Sequence, residues 1–197
     1  MIETEKERLA RLYPIVLSEH NPEWSQWFTK EKAELERLID TDIIFKLSHF
    51  GSTAVPNLLA KPTIDILLEI NEGADIDRLI AALDTPDYIY LHEESAPTIK
   101  TAPLHLRFVK GYLADGFAER VYHIHVVRRG GWSERLLFRD YLIAHPEIAA
   151  EYGELKRRLF GDFEHDRDGY TEAKGEFVRR VTAKAKSILT STEEFSI

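Results

Sequence analysis

Apolar residues recur at two different periods along this chain, and the change of period divides it. From Thr63 to Ile70 the period is two, so Ile64, Ile66, Leu68 and Ile70 share one face of a strand and Asp65, Leu67 and Glu69 the other. Pro62 restricts Lys61 to an extended conformation and marks where this strand begins. The run Arg120 to Val127 alternates in the same way, placing Val121, His123, His125 and Val127 on one face and Tyr122, Ile124 and Val126 on the other. Ile43 to Phe50 predicts a third strand, ending in the turn signal Gly51-Ser52-Thr53, and Tyr13 to His20 a short fourth. Asn21 and Pro22 are expected to cap and open a helix carrying Trp24, Trp27, Phe28, Leu35 and Leu38, ending near Asp40. Pro56 and the helix-compatible Leu58-Leu59-Ala60 fill a tight stretch, and residues 75–83 read as a short helix. Residues 88–118 read as strands and loops, with Leu104, Leu106 and Phe108 alternating against His105, Arg107 and Val109, and 97–103 take no assignment.

Beyond Gly130-Gly131 the period becomes helical. Trp132, Ser133 and Leu137 have the spacing of a hydrophobic staple around a Ser133 cap, opening a helix with Leu137, Phe138, Tyr141 and Leu142. His145-Pro146 ends that helix and starts another with an apolar stripe of Ile148, Tyr152, Leu155 and Leu159. A charged loop is expected over Gly161–Gly169. A last helix follows from Thr171 to Leu189 with Phe177, Val181, Ala185 and Ile188 inward, and fraying end residues. Strands early and helices late predict one domain over 1–197 of the α+β (mixed α/β) class, a mixed sheet packed by helices with a helical portion at about 132–190.

Composition narrows the function classes. With 26 Lys+Arg against 34 Asp+Glu the net charge is −8, which argues against duplex nucleic acid, whose binding needs a basic face. No cysteine is present, so any metal must sit on His, Asp or Glu. The opening MIETEKERLA lacks the apolar core of a signal peptide and no stretch is long enough to span a membrane, so a cytoplasmic protein without a membrane partner is expected. No P-loop, Rossmann fingerprint, G-x-S-x-G elbow or HExxH occurs.

Three constellations carry chemistry. Gly51-Ser52 after a strand, followed by Asp65 inside the next, suits phosphate binding: glycine lets backbone approach a phosphate, serine adds a hydroxyl, and a strand carboxylate can hold Mg²⁺. By itself Gly-Ser after a strand is more often a plain turn. His123 and His125, if their face also holds Asp65, Glu69 and His49, supply ligands for a transition metal or acid–base groups for phosphoryl chemistry, against the alternative of buried histidines bonded to carbonyls. His92, His105, His145 and His165 read as ordinary, and the tryptophans as core or staple residues. Lys61, Arg107, Arg120, Arg139 and Lys174 would favour an anionic ligand such as a triphosphate if they converged. Gly153 and Gly175 interrupt predicted helices, a hint of close packing.

The segment HFGSTAVPNLLAKPTIDILLEI, His49 to Ile70, resembles the signature of the GrpB family, a branch of the nucleotidyltransferase superfamily. Asn21-Pro22-Glu23-Trp24, the strand HIHVV, LLFRDYLIAHPE from Leu136 to Glu147 and YTEAKGEFV from Tyr170 to Val178 are also similar to it, in the same order. The resemblance implies a polymerase-β-like nucleotidyltransferase fold in which a Gly-Ser turn holds the triphosphate and strand carboxylates bind two metals. Carried over, Gly51 and Ser52 match the phosphate turn and Asp65 the first metal-binding carboxylate. Asn57 stands where the family often has glycine. Leu67 occupies the place of the second acid, and Glu69 lies about 6.5 Å further along the strand, too far to replace it without rearrangement. The expectation is therefore a protein that binds a nucleotide or phosphorylated small molecule with Mg²⁺ or Mn²⁺ on Asp65 and His125. Gly51, Ser52 and Lys61 would be on phosphate and Asp65, His123 and His125 in the chemistry, and whether a nucleotidyl group is transferred at all stays open at Leu67. The rivals are an inactive nucleotide-binding or regulatory module, a reading that agrees with family domains fused behind dephospho-CoA kinase, and a His-x-His metal-dependent phosphohydrolase.

Overall fold

The computed structural model describes residues 4–92 and 104–194. The expected strands and loops that fall on 93–103, and the fraying of the final residues 195–197, lie outside the described residues. In chain order the elements are α1 (Glu5–Leu12), α2 (Trp24–Leu38), β1 (Ile44–Phe50), a 3-10 turn (Ser52–Ala54), β2 (Thr63–Ile70), α3 (Ile76–Ala82), β3 (Ile89–Tyr90), β4 (His105–Leu113), β5 (Gly116–Arg128), α4 (Ser133–Ala144), α5 (Pro146–Phe163), α6 (Arg167–Ala173) and α7 (Gly175–Glu194). They form two compact units, one of Pro22–Ala54 and Thr63–Trp132, the other of Met1–Asn21, Val55–Pro62 and Ser133–Ile197.

The first unit is a five-stranded mixed sheet in the order β1-β2-β5-β4-β3, in which β2 runs parallel to β5 and the other neighbours are antiparallel. Central strands flanked on both sides are buried on both faces, and β2 follows this rule: Leu67 and Ile66, on opposite faces, are both fully buried. One face carries Ile66, Leu68, Ile124 and Phe108 and packs against α2, where Trp24, Trp27 and Leu35 are buried. A buried polar cluster fixes α2 there. Glu31 accepts from Tyr88 Oη at 2.5 Å and from Lys110 Nζ at 3.0 Å on each oxygen, and burial beside this carboxylate raises the Tyr88 pKa. The α2 cap differs from expectation: Asn21 and Pro22 precede the helix, and Glu23 stands at the cap position, its side chain not capping the helix N–H groups. Strand β5 starts at Gly116, before the expected Arg120, because it continues the hairpin from β4.

The second unit is helical. Thr4 and Glu7 form a reciprocal capping box on α1, a helix absent from the sequence reading. The strand expected over 13–20 is an extended segment with a single bridge, Ser18 to Ala60, since no sheet edge continues it. Val55 and Leu58 join Tyr141, Leu142, Ala149, Tyr152, Phe177, Val181 and Ala185 in one core, with Tyr152 and Phe177 stacked at 4.9 Å. A Cβ on Gly153 would stand 3.8 Å from Leu58 and 3.9 Å from Leu59, ordinary contact distances, so the close packing expected at this glycine is not what α5 shows. Asn57 has φ 59, the left-handed region that asparagine tolerates best after glycine, so the backbone here suits either residue.

His145 and Pro146 open α5 as expected. Three other helix assignments are corrected. Ser133 is the first residue of α4 rather than its cap, the loop expected over 161–169 shrinks to 164–166 because α5 continues to Phe163 and α6 starts at Arg167, and α6 with α7 replaces a single last helix. Gly175 is thus the first residue of α7, not an interruption. Ile188 is exposed, beyond the end of the apolar stripe. Among the described residues no helix is long and apolar enough to cross a membrane.

Candidate functional site

The sheet register brings the charged face together. Asp65 pairs with His123 across the parallel β2–β5 ladder and with Phe50 across β1–β2, while His125 sits beside Leu67 on one side and Arg107 on the other. Residues paired across a ladder point to the same face, so Phe50, Asp65, His123, His125 and Arg107 all project to one side. His49, adjacent to Phe50, must project to the other. There it stacks on Phe28 at 4.9 Å and meets Thr53 Oγ1 at 3.0 Å, which corrects the expectation that it shares the Asp65 face. Glu69 is on the expected face but is buried and accepts from the Gly130 N–H at 2.8 Å, so it serves the turn after β5 and not the site.

Asp65 Oδ1 lies 3.4 Å from His123 Nδ1 and 3.9 Å from His125 Nε2, and the three ligand atoms all fall within 4.8 Å of one another. The other nitrogen of each ring is occupied. His123 Nε2 meets Tyr112 Oη at 2.8 Å, and His125 Nδ1 meets His105 Nε2 at 3.1 Å, with these two imidazoles stacked 2° from parallel. Such outer partners set the tautomer and aim the remaining lone pair, as around metal-bound histidines. Burial holds the His125 ring neutral, its pKa pushed down to about 3, with Asp65 pulling against burial and His123, Arg107 and His105 adding to it.

The turn after β1 is shaped around the carboxylate. Gly51 has φ +72, and a Cβ there would stand 2.3 Å from Asp65 Oδ2, so only glycine lets the backbone lie against Asp65. Thr53 Oγ1 donates to the Thr63 carbonyl at 3.1 Å and ties the Ser52–Ala54 turn to the start of β2. On the opposite side of the site Arg107 Nη2 stands 3.4 Å from His123 Nδ1. Trp132 lies 4.9 Å from the His125 ring and 4.6 Å from His105, forming an aromatic wall with Phe50.

Of the expected site residues, Gly51, Ser52, Asp65, His123 and His125 belong to this sheet unit, and Lys61 belongs to the helical unit. The expected cations divide: Arg107 joins the histidines, Arg120 stacks over Trp27 at 5.4 Å, and Arg139 pairs with Asp140. His105, Tyr112 and Trp132 were not expected here. Alternation already put His105 and Arg107 on one face of β4, but Tyr112 depends on an irregularity. Lys110 and Tyr112 are two apart and would share a face in a regular strand; Gly111, at φ +85 with the Arg120 carbonyl where its Cβ would be, breaks the alternation, so Lys110 reaches Glu31 and Tyr112 reaches His123.

Known proteins share this architecture. The chain is 29% identical to the crystal structure of the conserved protein GrpB from Enterococcus faecalis, with a TM-score of 0.69 over 86% of this chain and 96% of that one. It is 37% identical over 165 residues to a UPF0157 protein of Pseudomonas aeruginosa, covering 84% of this chain and 65% of the relative. It is 30% identical over 180 residues to the UPF0157 protein YqkA of Bacillus subtilis, covering 89% of this chain and 49% of the relative. The chain thus spans between about half and two thirds of the length of these two relatives. The family model described as GrpB protein matches residues 14–184, a span that includes every residue around Asp65, and the chain belongs to the GrpB family.

Proposed function

We propose that this protein binds a nucleotide or another phosphorylated small molecule through one divalent metal ion held by Asp65, His123 and His125. The approach of these three donor atoms within 4.8 Å of one another, on adjacent strands of one face, carries the reading. Two imidazoles and one carboxylate suit a single ion such as Mn²⁺ or Zn²⁺, whereas Mg²⁺ prefers oxygen ligands. When bound, such an ion would supply a Lewis acid for a phosphoryl oxygen. The residues do the rest: Gly51 and Ser52 offer close backbone and a hydroxyl for phosphate, Arg107 offers positive charge, and His105 and Tyr112 hold the rings in place.

The polymerase-like two-metal scheme is less well supported. It needs a second acid beside Asp65, and the strand offers Leu67, fully buried, and Glu69, already bonded to Gly130. This favours a single-metal site, and with it a binding module or a hydrolase over a transferase.

Thermal unfolding of wild type and Asp65→Ala against ATP, GTP, CTP, UTP and coenzyme A precursors, with and without Mn²⁺, tests the site. A ligand at about 100 times its Kd should stabilise by about 2.7 kcal/mol. A metal-dependent shift lost in Asp65→Ala is the expected result, and equal shifts in both proteins would overturn the reading. Product analysis of the ligand that binds then separates the classes: pyrophosphate release marks a transferase, phosphate release a hydrolase, and binding without turnover a module.

A further inference from the structure

Arg107 addresses the same atom that His123 would offer to a metal ion. Its Nη2 stands 3.4 Å from His123 Nδ1, the nitrogen that also faces Asp65 Oδ1 at 3.4 Å. A guanidinium can only donate, so this contact uses the Nδ1 lone pair and leaves the ring proton on Nε2, which donates to Tyr112 Oη at 2.8 Å. That tautomer is the one a metal-ligating Nδ1 requires. One lone pair serves one partner at a time, so donation from Arg107 and coordination by His123 exclude each other. The backbone of Arg107 cannot follow a change of partner: it sits in the β4 ladder opposite His125, and its carbonyl accepts from the Leu91 N–H at 2.9 Å. The half-buried side chain can, and its planar fork of five N–H groups suits a phosphoryl group.

Charge sets the order of events. The Asp65 carboxylate and the Arg107 guanidinium flank His123 and balance each other, so an anion by itself gains little attraction there. A divalent ion adds two positive charges to this balanced pair, and a phosphoryl oxyanion offsets them.

We infer that Arg107 couples metal binding to anion binding: it yields His123 Nδ1 to the metal ion and turns its fork to a phosphoryl oxygen of the ligand. The inference rests on the reading of Asp65, His123 and His125 as a one-metal site. It sets Arg107 apart from the other partners of the two rings. His105 and Tyr112 meet the histidines at His125 Nδ1 and His123 Nε2, the nitrogens turned away from Asp65, and so support metal binding, whereas Arg107 opposes it.

Absorbance titration of the full chain with Co²⁺, then calorimetric titration of the cobalt-loaded protein with inorganic phosphate, tests both halves. In Arg107→Met the Co²⁺ Kd is expected to fall about tenfold, because a competing donor and a like charge are gone, and the phosphate Kd of the loaded protein to rise about tenfold. A residue that only supported the fold would weaken both on removal, so the opposite signs are the signature. Arg107→Gln, which keeps a polar side chain without the charge, should move both constants in the same directions and serves if melting curves show that the methionine variant does not fold. Co²⁺ affinity unchanged or weakened in the folded variants, phosphate bound by them as tightly as by wild type, or no phosphate binding to cobalt-loaded wild type would overturn the inference and leave the metal site standing. Co²⁺ bound by neither wild type nor Asp65→Ala, or equally by both, would overturn the metal reading and the inference with it.

Discussion

Lys156→Met isolates what one buried ammonium does to stability. The unfolded chain holds this proton up to the ordinary lysine value of 10.5, whereas the folded chain releases it at about 6, because burial, Lys174 and Lys61 all disfavour the charge. Between the two values the unfolded state binds more protons, so stability rises with pH, at about 1.4 kcal/mol per pH unit. At pH 7 the deprotonation that folding demands costs about 4 to 5 kcal/mol, an upper bound that structural relaxation reduces. Methionine keeps the length and the packing but abandons the Leu59 carbonyl, a loss of about 1 to 3 kcal/mol. The variant should therefore be the more stable protein at neutral pH by about 2 kcal/mol, with the gap closing towards alkaline pH and reversing at about pH 8.5.

Urea denaturation followed by far-UV circular dichroism is the assay. It reads the helices of this unit, whereas the three tryptophans, Trp24, Trp27 and Trp132, all report on the sheet unit. Other groups titrate in this range, so the difference between the two proteins is the quantity of interest. If their stability profiles run parallel from about pH 6.5 to pH 9, the buried-charge account of Lys156 is wrong.

Two further perturbations probe the sheet unit. Gly51→Ala forces a side chain into the left-handed region, at about 1 to 2 kcal/mol, and onto Asp65 Oδ2, so Co²⁺ titration should show metal affinity reduced as in Asp65→Ala; full affinity would detach the turn from the site. Glu31→Ala leaves the Lys110 ammonium and Tyr88 hydroxyl without their shared acceptor and should destabilise by about 3 to 5 kcal/mol in tryptophan-monitored denaturation, partly recovered on adding Lys110→Met. A loss below about 1 kcal/mol would show that the cluster is solvated in the folded state.

Strands β2 and β5 were legible because their alternation is uninterrupted and their ends carry Pro62 and Gly130. The partnership of Asp65 with His123 and His125 was legible only as a condition on which faces meet. Period two says which residues share a face of one strand, but register between strands decides what they meet, and a slip of one residue sends His49 to α2. Register was hidden most at β4. Continuing the Leu113–Gly116 pairing regularly would set Arg107 opposite Tyr122, on the wrong face, and the irregularity at Gly111 sets it opposite His125 instead. Residues 13–20 have the composition of a strand, yet strands need a neighbouring edge, which local sequence cannot supply. In the last third, the charged run after Gly161 looked like loop because its polarity outweighed a helical periodicity that α5 and α6 satisfy with few buried positions.

The eight residues Val55–Pro62, between β1 and β2, belong to the helical unit, and Val55 and Leu58 fill its core. The backbone therefore passes from one unit to the other four times, and neither can be cut out as a continuous stretch. A fragment beginning at Ser133 would leave Tyr141, Phe177 and Val181 facing a void where Val55 and Leu58 belong, and a sheet fragment starting at Pro22 would carry those two residues without the helices that cover them. Exchange of a continuous gene segment thus cannot trade one unit for another, so the Asp65 site and the helical unit are inherited as a pair.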